Sequence, residues 1–292
     1  MGRELWAELS AVISLVDHDF VDNPDAFYST ATVVRCHLWS ALHERPTCWA
    51  ADPSNWDRPA RPRRLPGQST LSRRLRSRDF EAFMGELERR LRHLPRLGAL
   101  FKRVDGKPLV IAAHSKDPHA RFGHVGGGRT AKGYKLHAFQ DGGAMPADWR
   151  VAPMNVSEQR MAGRMLRDLP APAVVAADAG YDANVLYAAA AAAGGRLIAG
   201  RGRARARTTG HRRQHPDRLR ALDGGPMTQK VLRDRPQIER DFANLCSFGG
   251  GLNGLPAWAR TYGRVRRWVW AKLMINAARI RLLERRKSRA CA

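Results

Sequence analysis

The run PAVVAADAGYD, Pro172–Asp182, decides how the chain is read. Its first six residues are continuously apolar up to Asp178, the pattern of a short strand buried on both faces rather than one that alternates between core and solvent. A buried strand ending on an acid, with Gly180 two residues on, is where an α/β sheet commonly presents functional side chains. The plainer reading of Asp178 is a helix N-cap, since a carboxylate accepts the free N–H groups of a first turn equally well.

On either side of this run the chain alternates strand and helix. ALFKRVDGKPLVIAA is strand material around Asp105, and KGYKLHAFQ from Lys132 alternates like a half-buried strand. WRVAPMNVSEQRMAGRMLRDL passes from strand to helix; Asn155 and Glu158 stand in capping-box relation, and Met161, Met165, Leu166 and Leu169 form the apolar face. After Asp182 a helix is expected through the six alanines ending at Ala193, stopped by Gly194 and Gly195, and RLIAG supplies one more strand. Residues 201–225 are basic and lack apolar periodicity, which predicts a mobile insertion loop. PQIERDFANLCSF starts another helix, with Pro236 suited to its first turn and Glu239 between Arg235 and Arg240. The last long segment, RVRRWVWAKLMINAARIRLLERR, is expected to be an amphipathic helix with Val265, Val269, Leu273, Asn276, Ile280 and Leu283 inward and an arginine-rich face outward.

The first hundred residues read as helices. Leu5, Leu9, Val12, Ile13 and Val16 recur at helical spacing, and Thr32–Leu42 is a second mixed apolar run. A loop rich in Pro, Asp and Trp follows. In QSTLSRRLRSRDFEAFMGELERRLRHL, Ser69 is the expected N-cap of a short helix displaying Ser72, Arg73, Arg74 and Arg76, and Phe80, Phe83, Met84, Leu87 and Leu91 line a second helix. A short basic helix beside an amphipathic one suits a helix-turn-helix DNA reader, and suits a plain helical bundle as well. The expected division is residues 1–97, all helical, and 98–292, α/β.

Composition narrows the function. The chain has 292 residues, 51 Lys+Arg against 27 Asp+Glu, and a formal net charge of +24, which points to a polyanionic partner, most often nucleic acid. Forty-three of those cations are arginine, the better bidentate ligand for phosphate. Its uncharged apolar runs fall short of the ~20 residues that span a bilayer. The opening MGRELWAELSAVISLVDHD lacks a basic region followed by an apolar one, so no signal peptide is expected. Four scattered cysteines without a CxxC pair suit a reducing cytoplasm and argue against a cysteine zinc site. His114, His119 and His124 recur every five residues, a spacing that does not align on one helix face.

Acids are scarce, and three of them form a pattern. A strand aspartate (Asp105), a strand-end aspartate 73 residues on (Asp178) and a helix glutamate 61 residues further (Glu239) have the layout of a ribonuclease-H-like nucleotidyl-transfer site. Oxygen ligands of this kind hold Mg²⁺. Two such ions about 3.5–4 Å apart can activate the attacking oxygen and stabilise the leaving one at phosphorus.

The chain resembles the bacterial insertion-sequence transposases of the DDE superfamily over nearly its whole length. VDGKPLVIAAHSKDPHARFG, KGYKLHAF, WRVAPMNVSEQRMA, ADAGYD and RPQIERDFANL are similar to that family's successive blocks, and LPGQSTLSRRLR to its N-terminal region. The resemblance implies a ribonuclease-H-like mixed sheet flanked by helices after an N-terminal helical domain. It makes Asp105, Asp178 and Glu239 a catalytic triad holding Mg²⁺, or Mn²⁺ as substitute, as two ions. It places Arg235 on transposon-end DNA and Tyr181 and Asp182 in support, with Arg240, Lys132 and the basic residues Arg73, Arg74 and Arg76 beside Ser72 as further DNA contacts. It implies double-stranded DNA as partner, a homodimer on paired ends and a cytoplasmic, nucleoid-associated enzyme. Two positions depart from the family pattern: Leu232 stands for its signature tyrosine and Cys246 for its lysine. An inactive or repurposed DNA-binding descendant is the alternative that these two positions raise.

Overall fold

The computed structural model describes residues 2–92, 100–169, 173–200 and 214–290. The chain divides into two compact units, Met1–His93 with Leu245–Ala292, and Leu94–Asn244.

The first unit is helical. Helix α1 (Gly2–Asp19) buries Leu5, Leu9, Val12, Ile13 and Val16, the stripe its spacing demanded. Helix α2 (Thr30–Leu42) begins where Ser29 Oγ accepts the Thr32 N–H at 3.2 Å. Helix α3 (Gln68–Arg74) starts at Gly67 with no side-chain cap, so Ser69 lies inside the helix instead of capping it. The serine that caps is Ser77, whose Oγ accepts the Phe80 N–H at 3.2 Å and opens α4 (Arg78–Leu91), with Phe80, Phe83, Met84, Leu87 and Leu91 buried as expected.

Helix α10 (Tyr262–Ala290) corrects two expectations. It packs with α1, α2 and α4, so the C-terminal segment belongs to the helical unit and not to the α/β one. From Trp268 to Ala278 every residue is buried, and the arginine-rich surface is confined to its two ends. A helix covered on all sides is a core helix. Lys272 tolerates this position because its ammonium donates to the carbonyls of Ala41 (2.7 Å) and Gly250 (2.9 Å) and lies 4.4 Å from the Trp268 ring centroid. Trp268 and Trp270 are core residues too. Trp39 stacks on Trp56 with Trp6 edge-on in this unit.

The second unit is built on a six-stranded mixed sheet. Strand β1 (Phe101–Val110) pairs antiparallel with β3 (Thr130–Gln140) and parallel with β5 (Val174–Ala177), and β5 pairs parallel with β6 (Arg196–Ala199). The far edge of β3 is shared by β2 (Arg121–His124) and β4 (Asp148–Pro153). Antiparallel neighbours joined by turns and parallel ones joined by helices follow from connection length. The buried run before Asp178 is β5, as expected, and it is covered on both sides. Val175 and Ala177 face a core made with α5 (Glu158–Arg167) and α6 (Asn184–Ala192). Ala176 meets Ile198 and Val231 on the opposite side, under α8 (Pro226–Asp234). This is a ribonuclease-H-like sheet flanked by helices.

Three local expectations change. Asn155 does not cap α5; Ser157 holds that position. Helix α6 starts two residues after Asp182, and Gly194 ends it at φ +70°, a value that favours glycine. Of the expected insertion loop, residues 201–213 lie outside the described residues, and 214–225 is not a loop. It contains α7 (Pro216–Leu222), whose Arg218 is buried against Asp182. A buried ion pair leaves no apolar periodicity to read, so the sequence carries no helix signal there.

Candidate active site

Asp105 and Asp178 meet because β1 and β5 are parallel neighbours in matching register. Arg103 pairs with Ala176, and each aspartate lies two residues further along its strand. Side chains two residues apart share a face, so both carboxyls lie on the face that carries Ala176, under α8. Helix α8 ends at Arg235, and α9 (Gln237–Cys246) follows, with Glu239 in its first turn. Arg103, on the same face of β1, donates to the carbonyl and carboxylate of Asp234 and ties the end of α8 to the strand.

All three carboxylates converge on the Arg235 guanidinium. Its Nη2 lies 3.1 Å from Asp105 Oδ2 and 3.6 Å from Asp178 Oδ2, and its Nη1 donates to Glu239 Oε1 at 2.5 Å. The aspartates are held alike at their other oxygen. Asp105 Oδ1 accepts the Gly106 N–H and Asp178 Oδ1 the Gly180 N–H, both at 2.8 Å. Asp178 therefore does cap a short 3-10 turn, Ala179–Tyr181, as the plainer reading had it, while its second oxygen faces the site. Exposure rises across the set, from 17% for the Asp105 side chain through 41% for Asp178 to 60% for Glu239. Burial pushes the Asp105 carboxyl up to about 6, against the opposing pull of the Gly106 N–H and Arg235, and the nearby Asp178 and Glu158 charges add to the rise.

Behind the aspartates, α5 braces both strands. Buried Lys135 pairs with Glu158 at 2.5 Å, and the pair lies where a Cβ on Gly106 would be, 2.9 Å from Lys135 Cδ and 3.0 Å from Glu158 Oε1. Gln159 Nε2 donates to the Gly180 carbonyl at 2.7 Å and fixes the turn after Asp178. The Tyr181 hydroxyl is buried with no hydrogen-bond partner among the described residues, in the field of Asp105, Asp178 and Glu158. Burial and those charges raise its pKa. Lys135, Glu158 and Gln159 were missed as site residues in the sequence. Glu158 read as a capping residue and Lys135 as one polar position of a strand, and only the crossing of α5 over β1 joins them.

The remaining candidates do not gather at one place. Asp182 accepts Arg218 in a bidentate, buried pair (2.7 and 2.8 Å), so it anchors α7 and does not face the carboxylates. Lys132 donates to the Ser115 carbonyl at 2.6 Å, and Arg240 is exposed on α9. In the helical unit Ser72, Arg73 and Arg76 are exposed. Arg74 is turned inward, donating to Thr30 Oγ1 at 2.7 Å and lying 3.6 Å from Asp22, so it is not displayed as expected. His114, His119 and His124 are exposed and separate. Leu232 packs on the Ala176–Ile198–Val231 cluster, and Cys246 Sγ lies 2.8 Å from the Leu252 carbonyl.

Each carboxylate offers a hard oxygen of the kind Mg²⁺ or Mn²⁺ takes, Asp105 and Asp178 on the Nη2 side of Arg235 and Glu239 on the Nη1 side. The cation they share here is the guanidinium, and among the described residues no three His, Cys, Asp or Glu side chains are grouped as ligands of a single ion.

A family model described as the transposase DDE domain matches residues 103–275, more than half of the chain and all three carboxylates. The chain belongs to the transposase DDE-domain family. Searches of curated proteins and of solved structures return no match. Among the described residues no helix is long and apolar enough to cross a membrane.

Proposed function

We propose that this protein is the DNA transposase of an insertion sequence, cutting at the ends of the element that encodes it and joining them to target DNA by phosphoryl transfer. The observation that carries the reading is the in-register pair Asp105 and Asp178, with Oδ2 of each turned to one cation that Glu239 also faces. Water attacks the phosphorus at an element end and the 3′-oxygen leaves as a hydroxyl. That hydroxyl then attacks a target phosphodiester, and the target's own 3′-oxygen leaves. Asp105, Asp178 and Glu239 would hold two divalent ions, which when bound supply Lewis-acid charge for the attacking and leaving oxygens.

The rest of the reading concerns how this chain holds DNA. Three carboxylates alone would repel a phosphodiester, and the excess of arginine offsets that repulsion. Arg240, Lys132, Ser72, Arg73 and Arg76 are proposed DNA contacts, and a homodimer is proposed on paired element ends. The inactive reading rested on Leu232 and Cys246. Leu232 packs on the Ala176–Ile198–Val231 cluster and Cys246 Sγ faces the Leu252 carbonyl, and the cleavage test below decides between the active and the inactive reading.

The test is a DNA fragment carrying the gene with its native flanks, incubated with purified protein and Mg²⁺ or Mn²⁺ beside an Asp178→Asn control. Breaks at the element boundaries that need metal and vanish in the control are the expected result. Tight binding without cleavage in either metal would overturn the enzymatic reading in favour of a DNA-binding protein.

A further inference from the structure

Each aspartate of the site has one oxygen committed and one open. The Oδ1 atoms accept the Gly106 and Gly180 N–H groups, so Oδ2 is the oxygen of each that is free of backbone contacts and most open to an entering cation. Both Oδ2 atoms, and Glu239 Oε1, face Arg235. Resting on the metal-dependent reading above, we infer that Arg235 is the resident counter-cation of the carboxylates. It keeps the three together in the metal-free protein and competes with the divalent ions for the same oxygens.

Position and charge both support this. Arg235 is the C-cap of α8 and lies four residues, about one helical turn, before Glu239, so the guanidinium and Glu239 stay adjacent while its fork reaches two strands. Three carboxylates facing each other repel, and the cation between them relieves that repulsion. The guanidinium is not fully satisfied, since Arg235 Nε is buried with no partner among the described residues. A DNA phosphate offers more acceptor oxygens in the geometry that a guanidinium prefers. When DNA draws the guanidinium away, the Oδ2 atoms are freed. Metal binding and DNA binding therefore reinforce each other, and by linkage each tightens the other by the same factor.

Mn²⁺ binding to the full chain, followed by the loss of the free-ion paramagnetic resonance signal, tests this without any turnover. The probe DNA is a duplex spanning one boundary of the element, and thermal melts confirm that each variant is folded. In the absence of DNA, Arg235→Gln is expected to bind Mn²⁺ at least about tenfold more tightly than the wild type, within the usual range of coupling between sites. DNA is expected to tighten Mn²⁺ binding by the wild type and leave Arg235→Gln unchanged. Arg235→Lys, which keeps the charge and loses the fork, falls between them and serves if the glutamine variant does not fold. Equal or weaker Mn²⁺ binding by the folded variant overturns the inference and leaves the proposed function standing. If neither wild type nor variant takes up Mn²⁺, with or without DNA, the metal-dependent reading falls and the inference with it.

Discussion

Asp105 and Asp178, 73 positions apart in the chain, stand in register, Asp105 in β1 and Asp178 directly after the parallel β5, each two residues past the Arg103–Ala176 pair. Each also uses its oxygens in the same way, Oδ1 on a backbone N–H and Oδ2 toward Arg235. An asparagine at 178 can keep the first of these contacts through its amide oxygen. Asp178→Asn is therefore expected to unfold within about 0.5 kcal/mol of the wild type, as for a partly exposed site that loses no packing, while DNA cleavage is lost. Urea unfolding beside the cleavage assay separates the two effects; a strongly destabilised variant would contradict the assignment of Asp178 to chemistry alone.

Asp182 and Arg218 make a different prediction, because their pair is buried. Arg218→Met leaves a carboxylate buried without its main partner and should cost roughly 3–5 kcal/mol. The double replacement Asp182→Leu with Arg218→Met should recover most of that loss. Chemical denaturation of the two single variants and the double variant reads the coupling directly.

Two glycines of the site blocks carry different steric demands. At Gly106 an added Cβ meets the movable ends of Lys135 and Glu158, so Gly106→Ala is expected to cost about 1–3 kcal/mol, the usual range for overpacking, and to disturb the strand beside Asp105. At Gly133 the Cβ would lie 2.2 Å from the Leu109 carbonyl oxygen, which is backbone and cannot move aside. Gly133→Ala should be the more damaging of the two in a thermal melt, and the reverse order would refute the argument.

Among the described residues the buried Tyr181 hydroxyl has no partner to lose. Tyr181→Phe should leave stability unchanged or slightly higher, since deleting an unsatisfied buried polar atom removes a desolvation cost. A loss of more than about 1 kcal/mol, the usual net worth of a hydrogen bond, would reveal a partner for this hydroxyl.

His37 and His137 set an acid limit to stability. Burial lowers both to about 4 from the usual 6.5. The unfolded chain therefore takes up protons below pH 6.5 that the native state takes up only near pH 4. Stability falls through that window, by up to about 3 kcal/mol per histidine, and levels off below it. Urea unfolding between pH 7.5 and 4.5 should show the slope, and His137→Phe should flatten its share.

Much of this protein is written in its sequence. The buried strand before Asp178, the apolar stripes of α1 and α4 and the stop at Gly194 follow from side-chain period and backbone preference, all local properties; the three acids stand out only by their spacing along the chain and the resemblance. The rest depends on contacts between distant segments. The C-terminal helix joins the helical unit because its burial runs all round, which only neighbouring helices can decide. Arg218 is core because Asp182 lies opposite it, and α5 braces the aspartates because it crosses β1 at a glycine. Above all, that Arg235 faces three carboxylates at once needs the parallel register of β1 and β5 and the end of α8 over them. Hydrophobic period is written along the chain, whereas the partner of a charge is chosen by tertiary packing.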